Sequence, residues 1–164
     1  MGVYPGTFDP PTVAHLAVAE AARDQCRLQR VELVVSVDPL GKPDRAADAH
    51  RRADELQTAI GDAGWLTVKL TTTRLLMEIA EESAAVALIM GADKWVQVCD
   101  PTWYGSIAAR DDATRRLPLV AVAPRPPHPL PEPDPARIVV LDIDPSHHEV
   151  SSTAVRAGRL DWAL

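Results

Sequence analysis

Val3-Tyr4-Pro5-Gly6-Thr7-Phe8-Asp9-Pro10-Pro11-Thr12-Val13-Ala14-His15 is the stretch from which the fold is read. Val3-Tyr4 opens a short strand candidate, a Gly/Asp/Pro turn follows, and residues 13–25 (VAHLAVAEAARDQ) read as a helix rich in Ala and Leu. Gly6 lets the backbone turn tightly and approach a ligand, and Pro10 and Pro11 stiffen the loop. Thr12 falls at the helix N-terminus, where free N–H groups and the helix dipole favour an anion. His15 lies three residues on, so both side chains can face the same side. An isolated T-x-x-H is no more than a capped helix with a solvent-facing His. In this loop, a hydroxyl and an imidazole aimed at a helix-end anion site suit a phosphate.

Outward from this stretch, short apolar runs alternate with longer amphipathic ones. Val31 to Val37, Trp65 to Leu70, Ala85 to Met90, Leu117 to Ala123 and Arg137 to Ile143 read as strands. Residues 47–61, 73–83 and 151–160 read as helices, the second of these with Leu75, Leu76, Ile79 and Ala80 on its apolar face. Such alternation predicts a Rossmann-like three-layer α/β fold, with a central parallel sheet and helices on both faces. Ligands in such folds bind at the carboxyl ends of the strands, near the switch point. The segments after the first, second and fourth strands are therefore the places to look. Residues 124–135 (PRPPHPLPEPDP) read as an extended connector, and the whole of 1–164 reads as a single domain.

Composition narrows the classes. With 164 residues, 46% hydrophobic and 24% charged, the chain has material for one ordinary core. No stretch approaches the roughly 18–20 apolar residues of a membrane span. No basic-then-apolar leader is visible, so no signal peptide is expected. Cys26 and Cys99 stand far apart, which argues against a disulfide scaffold or a Cys-based zinc site and for the cytoplasm. A net charge of −6 without a basic stripe argues against nucleic-acid binding, while a small anionic ligand needs only a local positive site. No G-x-x-x-x-G-K-[ST], G-x-G-x-x-G or G-x-S-x-G occurs. His147-His148-Glu149 could suggest a metal, but adjacent His residues do not converge easily on one ion, and no metal ligand set is assigned.

The block Gly6 to His15 resembles the signature of the nucleotidyltransferase superfamily, G-[ST]-F-[DN]-P-x-[HT]-x-G-H, with Ala14 where Gly is usual. Near the end, Val150-Ser151-Ser152-Thr153-Ala154-Val155-Arg156 resembles its I-S-S-T-x-[IV]-R block. Read from chemistry alone, these residues cap a helix and place an Arg fork suited to phosphate one turn along. The resemblance implies transfer of AMP from ATP, with Mg²⁺ bridging the nucleotide phosphates, onto a phosphate-bearing small molecule. It implies His15, Thr12 and Lys42 as catalytic residues, Lys42 lying in Asp38-Pro39-Leu40-Gly41-Lys42-Pro43 after the second strand. It implies Gly6, Thr7, Phe8, His15, Gly91, Asp93, Ser151, Ser152, Thr153 and Arg156 as nucleotide-binding residues. Arg51 and Arg52 are weaker phosphate candidates.

Gly91-Ala92-Asp93-Lys94-Trp95 resembles the G-x-D-x-[LW] block of the nicotinate and nicotinamide mononucleotide adenylyltransferases, and Thr71 to Leu76 loosely resembles that branch's helix start. Thr72, Trp95, Trp103 and Tyr104 are then the acceptor-binding candidates. Tyr4 to Pro10 looks like the phosphopantetheine adenylyltransferase branch, which stays open as an alternative acceptor. A nucleotide-binding homologue with little turnover also stays open, given Ala14. Relatives often form homo-oligomers, and the sequence shows no interface pattern that decides this.

Overall fold

A computed structural model describes residues 1–38 and 48–164. Lys42 lies outside the described residues. Six parallel strands form one sheet: β1 (Gly2–Gly6), β2 (Val31–Ser36), β3 (Leu66–Thr71), β4 (Ala87–Gly91), β5 (Leu119–Ala123) and β6 (Ile138–Val140), in the order β3-β2-β1-β4-β5-β6. The chain winds from β1 towards β3, then returns to start β4 beside β1. That reversal makes the β1/β4 junction the switch point.

Strand residues alternate between two cores. Val31, Leu33 and Val35 pack on one face with Val18, Ala19 and Ala22 of α1 (Val13–Gln25) and Leu56 and Ile60 of α2 (Ala49–Ile60). Val34, Leu88 and Met90 point to the other face. They meet Met77, Ile79 and Ala80 of α3 (Leu76–Glu82), Val98 of α4 (Ala92–Cys99) and Ala113 of α5 (Ile107–Arg115). A sheet covered on both faces reads as continuous apolar strands, which is why β2 and β4 were visible in the sequence. The predicted three-layer α/β architecture is the one found.

Several boundaries differ for local reasons. α3 begins at Leu76 because the Thr73 N–H donates to the Thr71 hydroxyl (3.0 Å), holding the preceding residues in a turn. α6 covers only Ser152–Arg156, and Gly158 turns away at φ 112° into a short 3₁₀ turn over Leu160–Trp162. β6 is shorter than 137–143, because the Asp142 N–H donates to the Gln25 side chain (3.0 Å), which in turn donates to the Asp142 carbonyl (2.7 Å). α4 and α5 were not read as helices at all.

β1 pairs with β2 along its whole length, Gly2 to Gly6, but with β4 only at Gly2 and Val3. Pro5 has no N–H to give to a ladder. Beyond Val3 the two central strands therefore have room to part, and the site opens there.

Candidate active site

A cavity of about 470 Å³ lies over the carboxyl ends of β1 and β4. Gly6, Thr7, Phe8 and His15 form one wall, and Gly91 and Asp93 another. Ser151, Ser152, Thr153 and Arg156 close a third side. All ten residues expected to bind the nucleotide thus meet in one cavity.

The first wall is built tightly. Phe8 is buried at φ 48°, and its ring folds back so far that a Cβ on Gly6 would lie 2.7 Å from it. Only glycine fits beneath that ring. The Phe8 ring meets His15 edge-on, with centroids 4.9 Å apart. His15 then turns back on its own helix: its Nδ1 accepts the Thr12 backbone N–H at 2.9 Å, with the Thr12 hydroxyl also 2.9 Å away. This is the place a Glu or Gln takes in a capping box. A nitrogen that accepts an amide N–H carries no proton of its own, so the neutral ring holds its proton on Nε2.

Thr12 was expected to donate to phosphate. It is 1% exposed and does not line the cavity, because its hydroxyl is turned towards His15 Nδ1. It orients the imidazole instead.

The third wall is tied to the first across the whole chain. Arg156 Nη1 donates to the Asp9 carbonyl and lies 3.8 Å from the Asp9 carboxylate, while its Nη2 donates to the Thr153 hydroxyl at 3.1 Å. The Ser152 hydroxyl donates to the Pro10 carbonyl at 2.8 Å, and Thr12 forms a bridge with Ala163. Besides facing the cavity, Ser152 and Arg156 therefore hold the two motifs together. Ser151 caps α6, accepting the Ala154 N–H at 3.2 Å.

Arg52 is fully buried, not a phosphate ligand: it donates to the Thr7 carbonyl (2.7 Å) and the Ser36 carbonyl (3.0 Å), pinning the ends of β1 and β2. Arg51 is exposed and pairs with Glu55 at 2.6 Å, with Asp9 3.9 Å away. Trp95 does not line the cavity either. In α4 the cavity side carries Asp93, Lys94 and Gln97, and the helical period sends Trp95 to the second core. Trp103 and Tyr104 do line it; burial raises the Tyr104 phenol's pKa above its ordinary value. Thr72 sits in an adjoining open depression that shares Trp103 with the cavity.

Three contributors escaped the sequence reading. Arg125 lines the cavity, 3.6 Å from the Asp93 carboxylate, and donates to the Val150 carbonyl at 3.4 Å. Its signal was a cation at the carboxyl end of β5, hidden in a Pro-rich run. The Ser36 hydroxyl, buried at the end of β2 in a residue that lines the cavity, has no hydrogen-bond partner among the described residues. Arg74 stands before α3 and pairs with Asp38 at 3.3 Å. Among the described residues no group of three His, Cys, Asp or Glu could hold a metal ion, and no helix is long and apolar enough to cross a membrane.

The profile of the cytidylyltransferase-like family matches residues 3–158. A relative from Salinibacter ruber is 31% identical over 97% of this chain and 85% of its own length, and one from Exiguobacterium sibiricum is 30% identical over 95% and 84%. Both carry the name "Probable nicotinate-nucleotide adenylyltransferase". Among solved structures, the Plasmodium falciparum nicotinic acid mononucleotide adenylyltransferase complexed with APC superposes with a TM-score of 0.62 at 15% identity, covering 95% of this chain and 81% of that one. That likeness concerns the fold.

Proposed function

This chain belongs to the cytidylyltransferase-like family, and we propose that it transfers the adenylyl group of ATP onto nicotinate mononucleotide, releasing pyrophosphate and making the dinucleotide precursor of NAD. The relatives spanning nearly the whole chain support this acceptor. The observation that carries the chemistry is the bond from the Thr12 N–H to His15 Nδ1. It fixes the tautomer with the proton on Nε2, on a ring that lines the cavity.

An oxygen of the acceptor's phosphate attacks the α-phosphorus in line. The bond to the α,β-bridging oxygen breaks, and its electrons leave with pyrophosphate. No protein nucleophile is required, so the protein's work is alignment and charge stabilisation. His15 donates from Nε2 to an α-phosphoryl oxygen as charge builds there. Ser151, Thr153 and Arg156 face the β- and γ-phosphates, with Arg156 prealigned by Asp9. Gly91 and Asp93 lie on the nucleoside side, where Asp93 is held by Arg125. Mg²⁺ arriving with ATP would be held mainly by the nucleotide and water, and would supply charge neutralisation at the phosphates that Ser151, Thr153 and Arg156 face. The single sheet supports reading residues 1–164 as one nucleotidyltransferase domain.

Pyrophosphate release is measured with ATP, Mg²⁺ and, separately, nicotinate mononucleotide, nicotinamide mononucleotide and phosphopantetheine. Release with nicotinate mononucleotide is the expected result. Release with phosphopantetheine alone overturns the acceptor, and ATP binding with no release from any acceptor overturns turnover itself.

A further inference from the structure

The two motif-bearing walls account for the phosphates, but one cation of the cavity lies away from them. Arg156 is engaged by Asp9 and Thr153, and Arg125 by Asp93 and Val150. Lys94 donates to Gln97 at 2.9 Å. Arg74 stands between β3 and α3, and Leu75, Leu76 and Trp103 line the same cavity. Among the described residues its partner is Asp38, Nε to Oδ2 at 3.3 Å, with both side chains about half exposed. A pair that exposed contributes little net stability, so an incoming anion can take the carboxylate's place.

We propose that Arg74 selects a carboxylate over a carboxamide on the acceptor's aromatic ring, its guanidinium fork holding the acid while Trp103 walls the slot. The inference rests on the acceptor reading given above. A guanidinium offers N–H donors only, in a planar fork that matches the two oxygens of a carboxylate. A carboxamide replaces one of those oxygens with an NH₂, and donor then faces donor. The surroundings set the register. Beyond Arg74 the adjoining depression is lined by Glu78, Glu81 and Glu82, of which Glu81 pairs with Arg116 at 2.9 Å and Glu82 accepts from the Thr73 hydroxyl. An anionic ring substituent is attracted to Arg74 and repelled past it.

The test is the ratio of kcat/KM for nicotinate over nicotinamide mononucleotide, in the wild type, in Arg74→Gln and in Asp38→Asn. The wild type favours the acid. Arg74→Gln lowers the ratio by about tenfold or more, through loss on the acid, as expected for a charge-assisted contact. Asp38→Asn moves the other way, because the guanidinium no longer has a competing carboxylate, and the KM for the acid falls. A ratio unchanged in either variant, or a wild type that favours the amide, overturns the role of Arg74. A wild type that releases pyrophosphate with phosphopantetheine but with neither mononucleotide overturns the acceptor reading instead, and the inference falls with it.

Discussion

His15 performs two tasks at its two nitrogens, and two substitutions separate them. Nδ1 accepts the Thr12 N–H at 2.9 Å, which is worth about 1 kcal/mol as a helix cap. In a chain of 164 residues that loss lowers Tm by about 2–4 °C. Nε2–H is assigned to the transferring phosphoryl group, where removing one preorganised donor costs about 3–4 kcal/mol, or 10²–10³ in kcat. His15→Ala loses both. His15→Gln restores the capping box, because Gln at this helical position accepts the same N–H, but it does not restore the imidazole donor. The expected pattern is a lowered Tm and a kcat at least about 10² lower for Ala, against a near-native Tm and an equally poor kcat for Gln. Pyrophosphate release under saturating ATP and thermal unfolding read the two quantities independently. A kcat for His15→Ala within threefold of wild type refutes the donor role, and recovery of kcat in His15→Gln shows that the cap, not Nε2–H, is what catalysis needs.

Arg156→Ala raises the KM for ATP by about tenfold or more, since it removes a phosphate-facing fork and its tie to Asp9; an unchanged KM argues against both. Arg52→Met keeps the bulk but leaves the Thr7 and Ser36 carbonyls without their buried donor, so urea unfolding should show a loss of about 2–4 kcal/mol. A loss below about 1 kcal/mol would mean those carbonyls find other partners. Burial holds the Tyr4 phenol's pKa well above its ordinary 10.0, so the unfolded chain releases that proton first. Stability is then intact below pH 10.0 and declines as pH rises past it, and Tyr4→Phe flattens that decline; parallel curves for both proteins would discount it.

What the sequence made legible was whatever repeats with a period or belongs to a contiguous block. β2 and β4 showed as apolar runs because helices cover both their faces. Gly6 to His15 and Ser151 to Arg156 were readable because each motif sits at one chain bend. Pairings between distant residues were not readable. Nothing in Arg52 distinguishes a buried strut from its exposed neighbour Arg51 until the ends of β1 and β2 converge on it. Arg125 was concealed among prolines, and α4 by the block that opens it. Trp95 was assigned by its adjacency to Asp93, but two residues along a helix point to different sides. Thr12 was read as one of a phosphate-facing pair, whereas its hydroxyl is turned to the partner of that pair.

The tie between Asp9–Pro10 and Ser152–Arg156 joins residues 142 and 147 positions apart. Contacts of such sequence separation are the costliest to close, and they form only after the intervening sheet has brought both ends together. During synthesis the Asp9 and Pro10 carbonyls emerge with the earliest residues and meet Arg156 and Ser152 only once α6 is made. Conversely, under mild denaturation this seam can open while the β1–β2 ladder persists, as a local unfolding unit of its own. Competence for catalysis and persistence of the sheet are therefore separable in time and in denaturant, and amide exchange at Ala154 and Val155 should report the first before Leu33 and Val34 report the second.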